Sequence, residues 1–532
     1  MRELTGTAGT SQDAREQPHV NPWMTAVAVM FGTFMVVLDT TVVNVSLPHI
    51  AGNLSATVEE STWALTAYLA ANAVVLPMTG WLATVIGRKR LLQVSVVGFT
   101  ISSFLCGASP TLTTLIVFRI IQGITGGVMQ PLSQAVLLEA FLPADRGKAM
   151  GFWGLGIVVA PIIGPVLGGW LTDNYSWRWV FYINIPIGVV AVMMIRAYIF
   201  DPPYLRREST AVDYWGIGLL ALGVGATQIM LDKGQQEDWF ASQLIVGLCV
   251  AGAIGLVAFL IRELRTPHPV VDLRVFRHFT YSMGVLLTTV LGFVLYGSLV
   301  LLPVMLQTLM RYSPVEAGLA LAPRGLGSFI AMPLIGLATD RFDPRKLVGI
   351  GLLLGAYTLF WFSWLNLDAG YWDLFWPQFF QGFSLGLLFV PLTTVTMGAI
   401  SREEMGNAAS MFNLMRNVGS SIGIAVVTTM LTRRRTFHVE TLSASVTPYS
   451  DVAAGRLAQL QSYFISRGDD TGTALQRAYA GLHGMVVREA AFMSFVDAFY
   501  LLGVVFLAMI PLLFLMRRPA KVTTGEPVAM VD

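Results

Sequence analysis

Charge is what this chain has least of. Asp, Glu, Lys and Arg make up 12% of its 532 residues, against about 25% in an ordinary soluble protein. That shortage excludes a row of soluble domains. A net charge of +2, with no basic patch and interleaved aromatics outside loops, gives no reason to expect a nucleic-acid partner. Cysteine is nearly missing: Cys106 and Cys249 both fall in apolar runs far apart in sequence, so neither a disulfide nor a Cys/His metal site is expected. The six histidines, His19, His49, His268, His278, His438 and His483, lie in the amino-terminal tail, in loops or at run edges. Any proton relay at mid-membrane therefore has to rest on carboxylates. No P-loop pattern and no hydrolytic constellation occurs, so we expect no ATP-driven step, no bound cofactor and no enzyme.

Apolar runs are what the chain has in plenty. Hydrophobic residues make up 55%, and stretches of 18 or more recur from end to end, the mark of an all-α polytopic membrane protein. Fourteen spans are predicted: 24–47, 62–84, 91–108, 112–136, 148–172, 179–200, 213–231, 243–261, 280–307, 315–338, 347–366, 372–398, 406–431 and 491–516. The first 22 residues are polar and run straight into the first span, which reads as a cytosolic tail rather than a cleaved signal. With the amino end inside, inner loops and tails hold about 20 of the 34 Lys and Arg, and the short outer loops hold three: Arg178, Lys233 and Arg311. That asymmetry sets the orientation, with both termini cytoplasmic. A long outer segment, 432–490, carries seven arginines, but segments of such length follow the rule poorly.

An internal repeat divides the chain. GWLATVIGRKR from Gly80 to Arg90 returns 256 positions later as GLATDRFDPRK from Gly336 to Lys346. Gln122-Gly123 with Pro131-Leu132-Ser133 returns as Gln381-Gly382 with Pro391-Leu392-Thr393, and Ala160 and Gly164 map onto Gly419 and Gly423. Matches in order at nearly one offset imply two six-helix bundles, 23–204 and 278–517, with an inserted helix pair at 205–265 and cytosolic tails at 1–22 and 518–532.

A few residues stand against this apolar background. Asp39 lies inside the run from Trp23 to Leu47, where a carboxylate costs roughly 2.5–3.5 kcal/mol on insertion scales. It reads either as a proton carrier or as a structural Asp held by Thr40, Thr41 or Asn44. Arg119, about two turns into the fourth span, is an equally costly cation. A fixed ion pair or a carbonyl clamp is the alternative to a working role. Gly156, Ala160, Gly164 and Gly168 form a small-residue stripe beside Pro161 and Pro165, expected to make a tight contact between the two halves. Arg324, Asn413 and Arg416 make the second half cationic at depth. Asn44, Gln122, Gln130, Gln134, Asn413 and Arg416 are the candidate cavity residues. Glu139, near an inner span end, reads as a snorkelling carboxylate. With Asp39 set against Arg119, Arg324 and Arg416, the interior favours hydrophobic weak acids and neutral amphiphiles over dications. Within 432–490, the stretches Val452 to Phe464 and Ala474 to Val487 read as amphipathic helices.

The sequence also resembles a family. LDTTVVNVSLP from Leu38 to Pro48 is similar to the first-helix signature of fourteen-span drug:proton antiporters of the major facilitator superfamily. Gly80 to Arg90 resembles that superfamily's inner-loop motif, Arg119 to Gly123 its fourth-helix motif, and Gly156 to Gly169 the fifth-helix motif of antiporters. WRWVFYINIPIG from Trp177 to Gly188, Gln228 to Lys233 with Asp238 to Phe240, and Trp376 to Gly382 are similar to the EmrB subgroup of the EmrB/QacA branch. The resemblance covers essentially the whole chain. It implies a multidrug efflux antiporter of the bacterial inner membrane, driven by the proton gradient and carrying small hydrophobic drugs. It implies Asp39 and Arg119 as the proton-coupling pair, with Arg119 tuning the acid or touching substrate. Gly80, Gly87, Arg88, Lys89, Asp340, Arg341 and Arg345 are the implied inner-loop gate. The motif usually has an acid where this chain has Thr84, which leaves Asp340 with Arg341, Arg345 and Lys346 to carry that role; anchoring to lipid headgroups is the other reading of these cations. A periplasmic membrane-fusion adaptor of the EmrA kind and an outer-membrane channel of the TolC kind are implied as partners, with 432–490 as docking surface or else as a solvated cap. A proton-coupled importer or exporter of one metabolite or fatty acid, and a non-transporting receptor or scaffold, are the competing functions. The fifth-helix motif argues against import.

Overall fold

The computed structural model describes residues 21–142, 145–201, 212–267, 269–339, 341–447 and 449–516. Among the described residues, fourteen helices are long and apolar enough to cross a membrane. They are α1 (Pro22–Asn53), α2 (Val58–Ile86), α3 (Arg88–Gly107), α4 (Leu112–Ala140), α5 (Arg146–Asn174), α6 (Trp179–Tyr198), α7 (Tyr214–Lys233), α8 (Gln243–Arg265), α9 (Phe279–Thr308), α10 (Glu316–Thr339), α11 (Pro344–Ser363), α12 (Tyr371–Gly398), α13 (Met405–Ser445) and α15 (Thr471–Leu515). Helices satisfy every backbone donor and acceptor internally, which is why apolar runs of this length take that form in lipid. Fourteen spans bring the described chain back to the side from which α1 starts, here the near end; the opposite side is the far end.

Two bundles share one packing plan. In the first, α1 packs on α5 and α6, α4 on α2 and α3, and α3 on α6; in the second, α9 packs on α13 and α15, α12 on α10 and α11, and α11 on α15. The repeated glycines do the same work in each. A Cβ on Gly123 would strike the carbonyl oxygen of Tyr68 on α2, and one on Gly382 would strike that of Arg324 on α10. Tyr68 and Arg324 are themselves 256 positions apart. Gly164 presses on Thr41 of α1, as Gly423 presses on Phe293 of α9.

The inserted helices α7 and α8 pack on one another through Gly223 and Gly255, whose backbones touch. Asp213 caps α7 by accepting from Gly216 N at 3.0 Å and pairs with Arg262 of α8 at 2.8 Å. That hydrogen-bonded pairing with Arg262 holds its carboxyl below the usual carboxylate range. On one side α7 meets α2, where Thr66 donates to Asp232 and Lys233 reaches Thr62. On the other it meets α13, where Gln228 and Ser421 exchange hydrogen bonds of 2.8 and 3.1 Å.

The tightest approaches between the bundles lie in the near half. A Cβ on Gly80 would sit 2.8 Å from the backbone of Asn407, and the Gly80 N–H donates to Ser410 Oγ at 3.1 Å. Gly151 faces the Met332 carbonyl, and Gly336 faces that of Gly147. Gln134 Oε1 accepts from Asn413 Nδ2 at 2.5 Å across the same seam. The glycine stripe is a correction to the sequence reading. Gly156 faces Met30, Gly164 faces Thr41 and Gly168 faces Val42, all on α1 of the same bundle. Residues four apart share one helix face, and that face of α5 looks inward. The bundle-to-bundle contact of α5 uses Gly147, Gly151 and Gly154 on another face, while Pro165 touches the position of Gly318 at 3.8 Å.

At the far end α13 runs on to Ser445 and α15 begins at Thr471. Between them α14 (Asp451–Ser466) packs on α15. The segment 432–490 is thus a helical projection, and both expected amphipathic stretches are helical. His438 and Arg434 on the α13 extension both bond Asp497 of α15, at 2.7 and 2.5 Å.

Candidate functional site

Asp39 is fully buried, bonded by side chains of α4 and α6 that are themselves held by α2 and α3. Arg119 Nη1 on α4 donates to Asp39 Oδ2 at 2.5 Å. Gln122 Nε2, one turn on, donates to Oδ1 at 3.0 Å, and Asn184 Nδ2 of α6 donates to the same oxygen at 2.8 Å. Arg119 also donates from Nε to the Ala64 carbonyl of α2 at 3.1 Å and from Nη1 to Gln122 Oε1 at 2.7 Å. The Tyr68 ring lies 4.2 Å from its guanidinium carbon, a cation–π distance. Ser103 of α3 accepts from Asn184 at 3.0 Å and donates to the Phe181 carbonyl at 2.8 Å, which sets the Asn184 amide.

Coulomb attraction between such a pair is about 4 kcal/mol at an effective dielectric constant of 20 and 4 Å. It offsets desolvation only because both groups are also hydrogen-bonded. Thr40 and Thr41 do not hold the carboxylate: their hydroxyls donate to carbonyls of α1 itself, Val37 at 2.8 Å and Leu38 at 2.9 Å. The carboxylate therefore belongs to an inter-helix cluster, in which α1, α4 and α6 must move for water to reach it.

A cavity of about 100 Å³ lies elsewhere, between α5 of the first bundle and α9, α10, α12 and α13 of the second. Leu295, Leu299, Met332 and Phe389 give it an apolar wall, and Arg324 and Arg416 enter it. Among the candidate cavity residues only Arg416 lines it. Gln130 accepts from Arg416 Nη2 at 3.2 Å, and Gln134 Oε1 accepts from Asn413 Nδ2, while Gln134 Nε2 and Asn413 Oδ1 have no partner among the described residues. The bonds these three do make lie on the seam rather than in the cavity. Gln122 belongs to the Asp39 cluster, and Asn44 is exposed on α1. Pro161 lines the cavity, whereas Ala160 is buried toward α1, its carbonyl 3.5 Å from Thr41 Oγ1.

Arg88, Lys89 and Arg345 are engaged by protein. Gly87 has φ 90°, a left-handed turn that glycine adopts without strain and that delivers Arg88 to a buried pair with Glu139. Glu139 is thus an ion-pair partner and not a snorkelling group. Lys89 donates from its backbone to Asp201 at 2.8 Å and from Nζ to the Arg196 carbonyl at 2.8 Å. Arg345 reaches the Met516 carbonyl at 2.6 Å, tying α11 to the end of α15. Arg341 is exposed, Thr84 bonds only the Trp81 carbonyl of its own helix among the described residues, and Asp340 lies outside the described residues. Sequence reasoning missed Asn184, Ser103 and Tyr68 as neighbours of Asp39. Asn184 was visible as the lone amide in an apolar stretch.

The Major Facilitator Superfamily model matches residues 29–424. The chain is 37% identical to the multidrug export protein EmrB of Escherichia coli over 93% of this chain and 95% of that one. It is 37% identical to the fatty acid resistance protein FarB of Neisseria gonorrhoeae, covering 93% and 96%. It is 30% identical to the colistin resistance protein EmrB of Acinetobacter baumannii, covering 95% and 98%. Among solved structures it resembles the human organic anion transporter MFSD10, with TM-score 0.58, 13% identity and coverage of 92% and 100%. It also resembles the proton:xylose symporter XylE, with TM-score 0.55, 14% identity and coverage of 88% and 94%. At such low identity the two structures speak to the fold alone.

Proposed function

The chain belongs to the major facilitator superfamily, and on that premise we propose that it is a proton-coupled multidrug exporter. The observation that carries the reading is the buried cluster of Asp39, Arg119, Gln122 and Asn184, with a separate apolar cavity between the bundles. In the described state the acid is closed off and ion-paired. Taking up a proton discharges Asp39 and frees Arg119, which then has to find another partner, and that is the event that lets α1, α4 and α6 re-pack. Releasing the proton on the other side restores the pair.

Rocking of the bundles about the α5–α10 contact exposes the cavity alternately to the two sides. One proton moving down 100 mV supplies about 2.3 kcal/mol. At about 1.4 kcal/mol per tenfold, a neutral cargo is concentrated roughly fifty-fold per proton. We place the protein in the bacterial inner membrane with both termini cytoplasmic, so the near end faces the cytoplasm. The helical projection built from α13, α14 and α15 then lies in the periplasm, where it is a docking surface for a membrane-fusion adaptor leading to an outer-membrane channel. Everted vesicles test the core of this reading. Adding drugs should release protons and accumulate drug inside, and Asp39→Asn should abolish both. Accumulation by Asp39→Asn near the unmutated rate would overturn it.

A further inference from the structure

Cations are scarce in the short far-end loops, and most of those present are spent on the protein. Arg178 donates to the Gly107 and Ser109 carbonyls at 2.7 and 2.8 Å, and Lys233 reaches Thr62. Arg311 is different. It and Arg435 of α13 make no side-chain bond among the described residues. Both line, with Arg488 of α15, one groove of about 520 Å³ between the end of α9, α13 and α15. Val304, Leu431 and Phe495 give the groove an apolar part, and among the described residues no carboxylate lines it. Asp497, further along α15, is taken by Arg434 and His438, and Glu316 by the backbone N–H of Ser313. The apolar runs of all three helices stop at this level: α9 at Leu309, α13 at Leu431 and α15 at Ala491. Arginines so placed share the depth of lipid headgroups.

Two details separate the groove from a solvated charged rim. Arg488 is aimed: its Nε and Nη2 both donate to the Leu309 carbonyl, at 3.3 and 3.1 Å, which fixes the guanidinium plane against the end of α9. Arg311 has φ 61°, a left-handed backbone in the turn that closes α9, where the Tyr312 N–H bonds the Leu306 carbonyl at 3.0 Å. Helix stops in that conformation usually carry glycine. Arginine there bears a steric cost, and it sets a cation in the groove. Three like charges repel until an anion joins them, and guanidinium forks match phosphate oxygens.

We propose that this groove binds an anionic phospholipid of the far leaflet, its phosphate on Arg311, Arg435 and Arg488 and an acyl chain on Val304, Leu431 and Phe495. The apolar part of the groove, and its level at the span ends, favour a lipid over a soluble phosphate. The site shares no lining residue with the cavity between the bundles, and it stands whether or not the chain exports drugs. A lipid seated there bridges α9, α13 and α15 where the projection leaves the second bundle.

Fluorescence-anisotropy titration of the purified full-length chain in neutral detergent compares phosphatidylglycerol and phosphatidylcholine that carry the same dye on the tail. Phosphatidylglycerol should bind at least tenfold more tightly, and Arg435→Gln should weaken it at least tenfold. Arg311→Gly removes the cation and gives the left-handed turn the residue it favours. That variant should unfold no sooner than the unmutated chain and still lose at least tenfold in affinity. Arg456→Gln on α14 and Arg467→Gln at its end, equal losses of charge, should leave binding unchanged. Equal affinity for the two lipids, or full phosphatidylglycerol binding in Arg311→Gly, would overturn the proposal. So would an equal loss in the α14 variants, which would mean a diffuse field and no site. Glycerol 3-phosphate in tenfold excess should not displace the lipid; displacement would assign the groove to a soluble phosphate. Equal binding of both lipids, with crosslinking to a co-expressed adaptor lost in Arg435→Gln, would assign it to a protein partner instead.

Discussion

Asp39→Asn is nearly isosteric, yet it removes the charge that Arg119 faces at 2.5 Å. Breaking one partner out of a buried pair costs about 3–5 kcal/mol, so thermal unfolding in detergent should begin at a lower temperature while gradient-driven uptake vanishes. Arg119→Lys should fare little better, because a point charge cannot serve Ala64, Gln122 and Asp39 together. Asn184→Ala should cost about 1–3 kcal/mol for the lost hydrogen bond to the carboxylate and slow drug-driven proton release, measured with a pH dye in everted vesicles. An unchanged rate would remove Asn184 from the cycle. A lone carboxylate in a spanning run stands out by its cost, so Asp39 and Arg119 were legible from the sequence. Their partners were not. Tyr68 and Ser103 are ordinary residues in apolar helices, and only the packing of α2 and α3 brings them to the pair.

Helices were the most readable level: all fourteen spans recur with ends shifted by a few residues, except at the extended α13 and α15. Which face each helix turns to which neighbour was harder. The stripe from Gly156 to Gly168 was visible as close packing, but spacing alone does not say whether the partner is α1 or the other bundle. Gly164→Leu should force α1 away from α5, because Thr41 fills the space a side chain needs. Overpacking of this kind costs about 1–3 kcal/mol or more, and transport should fail while membrane insertion, checked by fractionation, persists. A working Gly164→Leu variant would contradict the contact. Gly80→Leu acts on a different contact, the near seam at Asn407 and Ser410. It should hold the seam apart, so that a cysteine placed at Ser410 becomes reactive to a thiol reagent from the near side. Protection equal to that in a Gly80 background would show that the seam tolerates the bulk.

At the scale of the whole molecule, the repeat divided the chain because equivalent glycines sit on equivalent partners in both bundles. The far projection was legible only as polar and helical, since nothing in its composition says that α13 continues unbroken out of the span. Deleting residues 446–470 should leave proteoliposome transport unchanged and abolish crosslinking to a co-expressed adaptor; crosslinking that survives the deletion would assign the projection to another task. The continuity of α13 has a mechanical consequence. Its 41 residues form a rod about 60 Å long at 1.5 Å per residue, carrying Arg416 beside the cavity and Arg434 on the projection. A stiff rod pivoting at its middle turns a tilt of a few degrees at one end into ångströms of sweep at the other. With the bundles rocking as proposed, whatever rests on the far tip is tugged once per turnover, so a neighbour senses each delivery through motion alone, without touching the cargo.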